Sequence, residues 1–304
     1  MDERLHCAEY EHSVASVQTE VKPMKYDLWL LSAYLGPEGV ASRWSRHMWR
    51  FDSTKHALVV GLPGGVHEPG SASVFGRSGG SWRARRAITA SDSTPGDSFG
   101  FQVGMHDDVI VVTAPLAARS AGAAYVYRWD GHSWCEEQKL LPPDPRKDGF
   151  FGGSVDIRKE VIAVGAGHLG ARGAVYVFER QGPFWKATQK LQSENGSAGD
   201  DFGYSVGMED DEIVVGAPLA YGGGVAYVYS LRGGSWMQTQ RLASLQDGGV
   251  DFGRHVAHAL GEQTLIVGGS RLDEDGTKRS IAHLFHRSTG RWQPLGILAP
   301  NRMR

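Results

Sequence analysis

The sequence predicts an all-β fold, a β-propeller built from four-stranded antiparallel blades. The main observation is an internal repeat, because the same short sequence motifs recur every 50 to 52 residues. Self-similarity with such a period is typical of solenoids and propellers. The most visible landmark is a Phe-Gly pair, which begins at Phe99, Phe151, Phe202 and Phe252.

Two further landmarks keep nearly the same period. A Gly-Ala-Pro position falls at Gly61, Thr113, Gly165, Gly216 and Gly268, and a tryptophan behind a glycine turn falls at Trp82, Trp134, Trp185, Trp236 and Trp292. The apolar runs between them are short and lack helical spacing. Glycine supplies 41 of the 304 residues, as many tight turns between short strands require.

Each unit is interpreted as four strands, named A to D in chain order. Strand A is the Phe-Gly segment, for example residues 99–105, and its glycines suit the crowded axis of a propeller. Strand B is a nearly unbroken apolar run, such as 109–112, which predicts burial on both faces. Strand C alternates aromatic residues about a valine, as in 125–127. Strand D begins at each tryptophan and is more polar, which favours the outer rim.

The repeat divides the chain into five clear units. The predicted blades span about 47–98, 99–150, 151–201, 202–251 and 252–304, and together they form one propeller domain over 47–304. Residues 1–46 repeat poorly, and we expect either a degenerate extra blade or an N-terminal extension packed on the rim. The chain length predicts about six blades, or seven if the chain is a fragment.

The repeated words resemble a known family. Phe202-Gly203, the segment 214–218 ending in Gly-Ala-Pro, and the segment 226–229 are similar to FG-GAP repeats, the units of the integrin α-chain propeller and of many bacterial and algal proteins. The resemblance covers about residues 47–300. The Gly-Ser-Trp turn followed by a basic residue and leucine, as at 234–242, is similar to the non-integrin branch.

The resemblance implies a β-propeller, usually closed with seven blades, and a cell-adhesion or protein-binding role like that of integrin α chains. It also implies an extracellular location, whereas the first residues lack the apolar stretch of a secretory signal. The two indications conflict, so the compartment stays open. Asn195-Gly196-Ser197 forms a glycosylation sequon that matters only in a secreted chain.

Composition and motifs argue against several functions. The net charge of −2 gives no basic field for nucleic acid, and no apolar run is long enough for a transmembrane helix. The sequence contains no nucleophile elbow, no phosphate-binding loop and no metalloprotease motif. We therefore expect neither an enzyme nor a cofactor.

Metal sites are not expected either. The turns between strands A and B, such as 105–108 and 208–212, are too short to wrap a calcium ion. Asp273 and Asp275 form an acidic loop that lacks a later bidentate glutamate. His255, His258, His283 and His286 fall on strands A and C of the last unit. Residues three apart on a strand point to opposite faces, so packed histidines are favoured over a zinc site.

The D–A and B–C loops of a propeller open on the same face, and these loops differ strongly between units. We therefore expect a non-enzymatic binding or adhesion scaffold that engages a protein or glycan through this face. The candidate binding residues are Tyr221, Arg172, Arg119 and His168, because aromatic and arginine side chains dominate binding hot spots.

Two alternatives remain open. One is a hydrolase or lyase with its site at the axial mouth, which would bring acidic, histidine and arginine side chains with perturbed pKa values into one pocket. The other is a purely structural module cut from a larger chain. The sequence does not indicate an oligomeric state.

Overall fold

The computed structural model describes residues 50–299, except for 55–56, 79–80, 148, 168–171, 195 and 259–262. In this part of the chain, twenty strands form five four-stranded antiparallel sheets, each with its strands in chain order. The fold is a β-propeller, as the sequence predicts. The predicted N-terminal blade or extension over 1–46 lies outside the described residues.

The five sheets are blades 1 to 5. Blade 1 contains β1 (Arg50–Ser53), β2 (Ala57–Leu62), β3 (Ser71–Ser78) and β4 (Ser81–Ile88). Blade 2 contains β5 (Val103–His106), β6 (Val109–Ala114), β7 (Ala123–Trp129) and β8 (Trp134–Leu140). Blade 3 contains β9 (Ser154–Arg158), β10 (Val161–Gly165), β11 (Val175–Gln181) and β12 (Phe184–Leu191).

Blade 4 contains β13 (Ser205–Glu209), β14 (Glu212–Ala217), β15 (Val225–Arg232) and β16 (Ser235–Ala243). Blade 5 contains β17 (Gly249–His258), β18 (Thr264–Leu272), β19 (Lys278–Ser288) and β20 (Arg291–Leu298). Two short helical turns lie in B–C loops: Ala117–Ser120 in blade 2 and Ala220–Gly222 in blade 4.

The hydrophobic core lies between the blades. Every residue of β6 and of β14 is buried, as a strand covered on both faces requires. Four buried clusters each join two successive blades. In the first, Val59 and Val74 of blade 1 pack with Phe99 and Tyr125 of blade 2. Each blade thus covers the apolar face of its neighbour.

The Phe-Gly pair does not belong to strand A in blades 2 to 4, contrary to the sequence-based assignment. There β5, β9 and β13 begin after the pair. The reason is backbone conformation, because Gly100 has φ of +89° and Ser98 has φ of 58°. The pair is a tight turn that drives a phenylalanine ring into the core. Phe99 is fully buried, and its ring meets the rings of Tyr125 and Tyr127 at centroid distances of 5.4 and 6.3 Å.

The glycine of the Gly-Ala-Pro position contacts the glycine of the Phe-Gly pair in the next blade. A Cβ on Gly216 of blade 4 would lie 1.8 Å from the carbonyl oxygen of Gly253 in blade 5. The same approach joins Gly61 to Gly100 and Gly165 to Gly203, at 2.2 Å in both cases. No side chain fits at these positions. The contact explains why the Gly-Ala-Pro and Phe-Gly motifs recur together.

A glutamine joins neighbouring blades at three interfaces. The Gln189 side chain donates from Nε2 to the carbonyl oxygen of Trp236 at 2.7 Å and accepts from the Trp236 backbone N–H at 2.8 Å. Gln138 makes the same pair of bonds to Trp185, and Gln240 makes it to Trp292. Trp185, Trp236 and Trp292 are therefore fixed by both their backbone and their buried rings.

The four described interfaces differ in their other polar contacts. Between blades 2 and 3, Glu137 accepts hydrogen bonds from Arg180 and from the indole N–H of Trp185. Between blades 4 and 5, Glu212 accepts from Arg287 and from the indole N–H of Trp292, the latter at 2.7 Å.

At the other two interfaces, no acidic residue takes the position of Glu137 or of Glu212. Between blades 1 and 2, the Arg85 guanidinium stacks on the ring of Trp129 at 5.0 Å. Between blades 3 and 4, Leu231 takes the position of Arg180, and Val161 takes the position of Glu212. There the indole N–H of Trp236 has no hydrogen-bond partner in the described chain.

Candidate binding face

The B–C and D–A loops lie together on one end of the propeller, which we call the loop face. Backbone hydrogen bonds join them. The N–H of Leu116 donates to the carbonyl oxygen of Asp97 at 3.2 Å, and the N–H of Phe150 donates to that of Ser120 at 2.9 Å. Such bonds hold the loops on the rigid blades, which is the usual arrangement of a binding surface.

Tyr221 projects from the loop face of blade 4. It is the central residue of the turn Ala220–Gly222, where its φ is 52°. Its side chain is 59% exposed, and the Arg241 guanidinium stacks on its ring at 4.7 Å. The sequence-based analysis missed Arg241. The signal was present, because Arg241 occupies the repeat position of Lys139 and Lys190.

Arg119 is held on a strained turn in blade 2. Ala118, Arg119 and Ser120 have φ of 53°, 60° and 63°, a left-handed run that costs about 1–2 kcal/mol per non-glycine residue. Backbone hydrogen bonds from Ser120 to Leu116 and from Gly122 to Ala117 stabilise it. The Arg119 side chain is exposed. Strain of this kind is characteristic of ligand clamps and active sites.

Arg172 lies in the B–C loop of blade 3 with an exposed side chain. Its Nη2 donates to the carbonyl oxygen of Ser193, in the following D–A loop, at 3.1 Å. The structure therefore places Tyr221, Arg172 and Arg119 on the loop face. The fourth candidate, His168, lies outside the described residues.

The loop face also exposes apolar surface. Leu116 and Leu219 follow the proline of the Gly-Ala-Pro position in blades 2 and 4, and they are 40% and 46% exposed. Tyr221 lies two residues beyond Leu219. These leucines of two different blades add apolar surface to the loop face.

The acidic loop and the histidines have other contacts. Asp273 pairs with Arg271 at 3.1 Å and with Arg279, while Asp275 accepts a hydrogen bond from the N–H of Thr277. His258 contacts Glu212 at 3.2 Å, and His283 is buried against the ring of Phe252. Within the described ranges, no three histidine, cysteine or acidic side chains form a group that could hold a metal ion.

The A strands of all five blades line an axial cavity of about 1440 Å³. Two aspartates face it and make matching contacts. Asp156 accepts hydrogen bonds from the N–H of Ile157 at 2.8 Å and from the N–H of Met208 in the next blade at 2.7 Å. Asp52 accepts from Ser53 and Met105 in the same way. These carboxyl groups join neighbouring A strands at the axis.

The pH dependence of stability tests the burial of Asp156. Burial, together with the charge of Asp52, raises the pKa of this carboxyl from 3.8 to about 7, although the two backbone hydrogen bonds lower it. The folded state therefore binds a proton that the unfolded chain releases near pH 3.8, so this stabilisation is complete below that pH and is lost as the pH rises to about 7.

We expect the unfolding free energy of the native chain, relative to Asp156→Asn, to fall by about 3 kcal/mol between pH 4 and pH 7. Urea denaturation of both proteins over this range measures the difference. A difference that stays constant, or that grows with pH, would contradict the raised pKa.

Five blades joined by recurrent glycine contacts define the chain as a repeat β-propeller. The family model described as "FG-GAP repeat" matches residues 82–127, 134–178 and 185–229. The chain is an FG-GAP repeat protein. Each match begins within strand D of one blade and ends in strand C of the next, so the sequence repeat crosses the blade interface.

Three solved structures are similar to this chain. A protein of Bacteroides uniformis with proposed 6-phosphogluconolactonase activity is 12% identical, with a TM-score of 0.56 over 83% of this chain and 71% of that one. A Bacteroides fragilis protein with the same proposed activity is 9% identical, with a TM-score of 0.44 over 82% and 83%. The GH43 endo-arabinanase of Bacillus licheniformis is 10% identical, with a TM-score of 0.41 over 80% and 94%.

At 12% identity, the first of these structures shows a common fold and no more. No curated protein sequence matches this chain. Among the described helical segments, none has the length and apolar character needed to span a bilayer.

Proposed function

We propose that the chain is a non-enzymatic binding scaffold whose loop face engages a protein ligand. The observation that carries this proposal is the presentation of Arg119 and Tyr221. Both side chains are exposed, and both sit on left-handed backbone that costs folding energy. Strained turns on a rigid scaffold hold their side chains in one orientation, which lowers the entropy lost on binding.

The charges of the face support the same function. In the described part of the chain, neither Arg119 nor Arg172 has a carboxylate partner within ion-pairing distance, although Arg172 is anchored by its bond to Ser193. Exposed Leu116 and Leu219 supply apolar surface on the same face. Arginine and aromatic anchors surrounded by apolar contacts are the usual composition of a protein-binding hot spot. These leucines favour a protein ligand over a glycan.

Simultaneous replacement of Tyr221, Arg172 and Arg119 by alanine tests the proposal. We expect the triple variant to lose at least about 2 kcal/mol of binding free energy, a reduction in affinity of about 30-fold. The thermal midpoint should not fall, because the three side chains are exposed. A protein microarray probed with the native chain identifies ligand proteins. Surface plasmon resonance then measures the affinity of each variant for them.

The matched control replaces Arg83, Lys186 and Met237, which are exposed on the outer D strands of three blades. This variant changes similar side chains far from the loop face, and it should bind like the native chain. Equal binding by all three proteins would refute the assignment of the loop face.

A second candidate is a hydrolase or lyase with its site at the axial cavity. The specific observation in its favour is that Asp52 and Asp156 both face this cavity with raised pKa values, a feature of catalytic carboxyl groups. Their bonds to backbone N–H groups favour a structural role instead. Hydrolysis of sugar lactones, the reaction class proposed for the Bacteroides uniformis protein, by the native chain but not by Asp156→Asn would support the enzyme.

A further inference from the structure

The outer half of blade 1 concentrates positive charge. Its strands β3 and β4 contain four arginines and no acidic residue. These arginines are Arg77, Arg83, Arg85 and Arg86, and all four are exposed. Like charges on neighbouring strands repel each other and destabilise a sheet. A cluster of this kind raises the local concentration of anions at the surface.

Blade 5 shows how this chain otherwise treats basic residues on its outer strands. It has as many lysine and arginine residues there, but carboxylates pair with three of them: Lys278 with Asp251, Arg279 with Asp273, and Arg287 with Glu212. In the described part of blade 1 and its surroundings, no carboxylate lies within ion-pairing distance of Arg77, Arg83 or Arg85. The charge of blade 1 is thus left for a partner from solution.

The guanidinium of Arg85 is held in one place. A Cβ on Gly76 would lie 2.3 Å from its Nε and 2.8 Å from its Nη2, so the guanidinium rests against the bare backbone of β3. Its other contact is the ring of Trp129 in blade 2, at 5.0 Å. Neither contact uses an N–H group, and Arg85 makes no hydrogen bond within the described ranges. A fixed fork of N–H donors therefore remains for a ligand.

Arg83 adds a second guanidinium on the same side of the blade. It lies opposite Gly76 in the register of β3 and β4, and residues paired across a sheet project from the same face. That face is the one towards blade 2, because Val74, two residues before Gly76, packs into the core shared with blade 2. Arg83 and Arg85 therefore both border the interface of blades 1 and 2.

The same interface contains a groove with aromatic walls. The axial cavity extends outward between blades 1 and 2, where Arg85, Trp129 and Trp134 line it. The two indole rings lie 5.5 Å apart. Trp134 is only partly buried, whereas the corresponding tryptophans of blades 3 to 5 are 3 or 4% exposed. The reason is residue size, because blade 1 has Ala57 where blade 3 has Val161.

We propose that Arg83, Arg85, Trp129 and Trp134, which together form the arginine groove, bind a polysaccharide that carries carboxylate or sulfate groups. A guanidinium binds two oxygens of such an anion in parallel. Indole rings offer a flat apolar surface for the apolar face of a sugar ring. The groove lies at the end of the propeller that carries the A–B and C–D turns, opposite the loop face. It is a second binding site, independent of the proposed function.

The surroundings favour a polysaccharide over a membrane or a nucleic acid. A flat bilayer surface does not reach aromatic rings in a groove, whereas a single flexible chain does. Nucleic acids bind through many phosphate contacts over a wide basic field. The net charge of this chain is −2, and the groove also contains Asp108, which pairs with Arg128 at 2.6 Å. The basic area is thus local and suits a few anionic groups.

Calorimetric titration of the full chain at low salt tests the proposal with three probes. Oligogalacturonate carries carboxylates, dextran sulfate carries sulfates, and neutral dextran is the uncharged control. We expect one or both anionic probes to bind and neutral dextran not to bind, and the comparison identifies the preferred anion. Arg85→Ala should weaken binding about tenfold or more. Binding of neither anionic probe would refute the site, and tighter binding of a single-stranded oligonucleotide would overturn the assignment to a polysaccharide.

Gly76→Ala is the sharpest variant, because it displaces the guanidinium of Arg85 while every charge stays. The new methyl group meets only this flexible side chain within 3 Å, so the thermal midpoint should change little. We expect binding to weaken about tenfold. Arg85→Lys, which keeps the charge and loses the fork, should have the same effect and serves if Gly76→Ala does not fold. Unchanged binding by the folded variants would contradict the role of the held guanidinium.

Arg291→Ala is the matched control. Arg291 is an exposed arginine beside the C–D turn of blade 5, with no carboxylate partner in the described chain, and its loss should leave binding unchanged. Equal weakening by Arg291→Ala and Arg85→Ala would show that only net charge matters and would refute the groove.

The loop-face variant separates this proposal from the proposed function. The triple alanine variant of Tyr221, Arg172 and Arg119 should bind the anionic probe like the native chain. Loss of that binding would place the polysaccharide on the loop face and overturn the arginine groove. Failure of the loop face to bind any protein leaves the groove unaffected.

Discussion

The substitution Gly216→Ala is expected to unfold the propeller or to destabilise it by more than about 4 kcal/mol. The new Cβ would lie 1.8 Å from the carbonyl oxygen of Gly253 in the next blade. That oxygen belongs to rigid backbone, and Gly253 has φ of +90°, so neither side of the contact can move without breaking the blade interface. Urea denaturation followed by tryptophan fluorescence measures the loss.

Gly65→Ala is the matched control. Gly65 lies in a B–C loop, and a Cβ there would have no heavy atom within 4 Å. We expect a change of less than about 0.5 kcal/mol for a surface substitution of this kind. If the two alanine variants were equally stable, the glycine contact between blades would not be essential.

The substitution Glu212→Ala has the second largest expected effect, a loss of about 3 kcal/mol. Glu212 is buried and receives hydrogen bonds from Arg287 and from the indole N–H of Trp292, the latter at 2.7 Å, with His258 at 3.2 Å. Its removal leaves these donors without an acceptor at the interface of blades 4 and 5. Breaking one partner of a buried ion pair costs much more than replacing both.

The chain itself suggests the compensating variant. Between blades 3 and 4, Val161 and Leu231 occupy the positions of Glu212 and Arg287. The double substitution Glu212→Val with Arg287→Leu should therefore regain at least about half of the stability lost by Glu212→Ala. Chemical denaturation of the three proteins decides the matter. A double variant less stable than Glu212→Ala would refute the equivalence of the two interfaces.

The fold could be predicted from the sequence because its repeat places the same strand types at a fixed spacing. The unbroken apolar run of β6 and the alternating aromatics of β7 each imply one kind of burial. The conformation of the Phe-Gly pair could not be predicted in this way. Its phenylalanine looks like a strand residue, but the left-handed φ of Ser98 and Gly100 arises from packing against the preceding blade.

The candidate site was predicted only in part. Loop variability and residue type pointed to Tyr221, Arg172 and Arg119, and the structure shows where they lie, while their role in binding stays a prediction. Arg241 was missed because a basic residue on strand D resembles any other solvated lysine or arginine. Its stacking on the Tyr221 ring is visible only in the structure.

The blade interfaces carry a consequence for how such chains can grow. A tandem duplication of blade 4 would set Glu212 of the first copy against Leu231 and Trp236 of the second. The only donor to this buried carboxylate would then be the indole N–H of Trp236, with no cation beside it. New units therefore cannot be added by copying alone. Each insertion needs a matching change in the unit that follows it. The residues at the blade interfaces therefore fix the order of the blades in this chain.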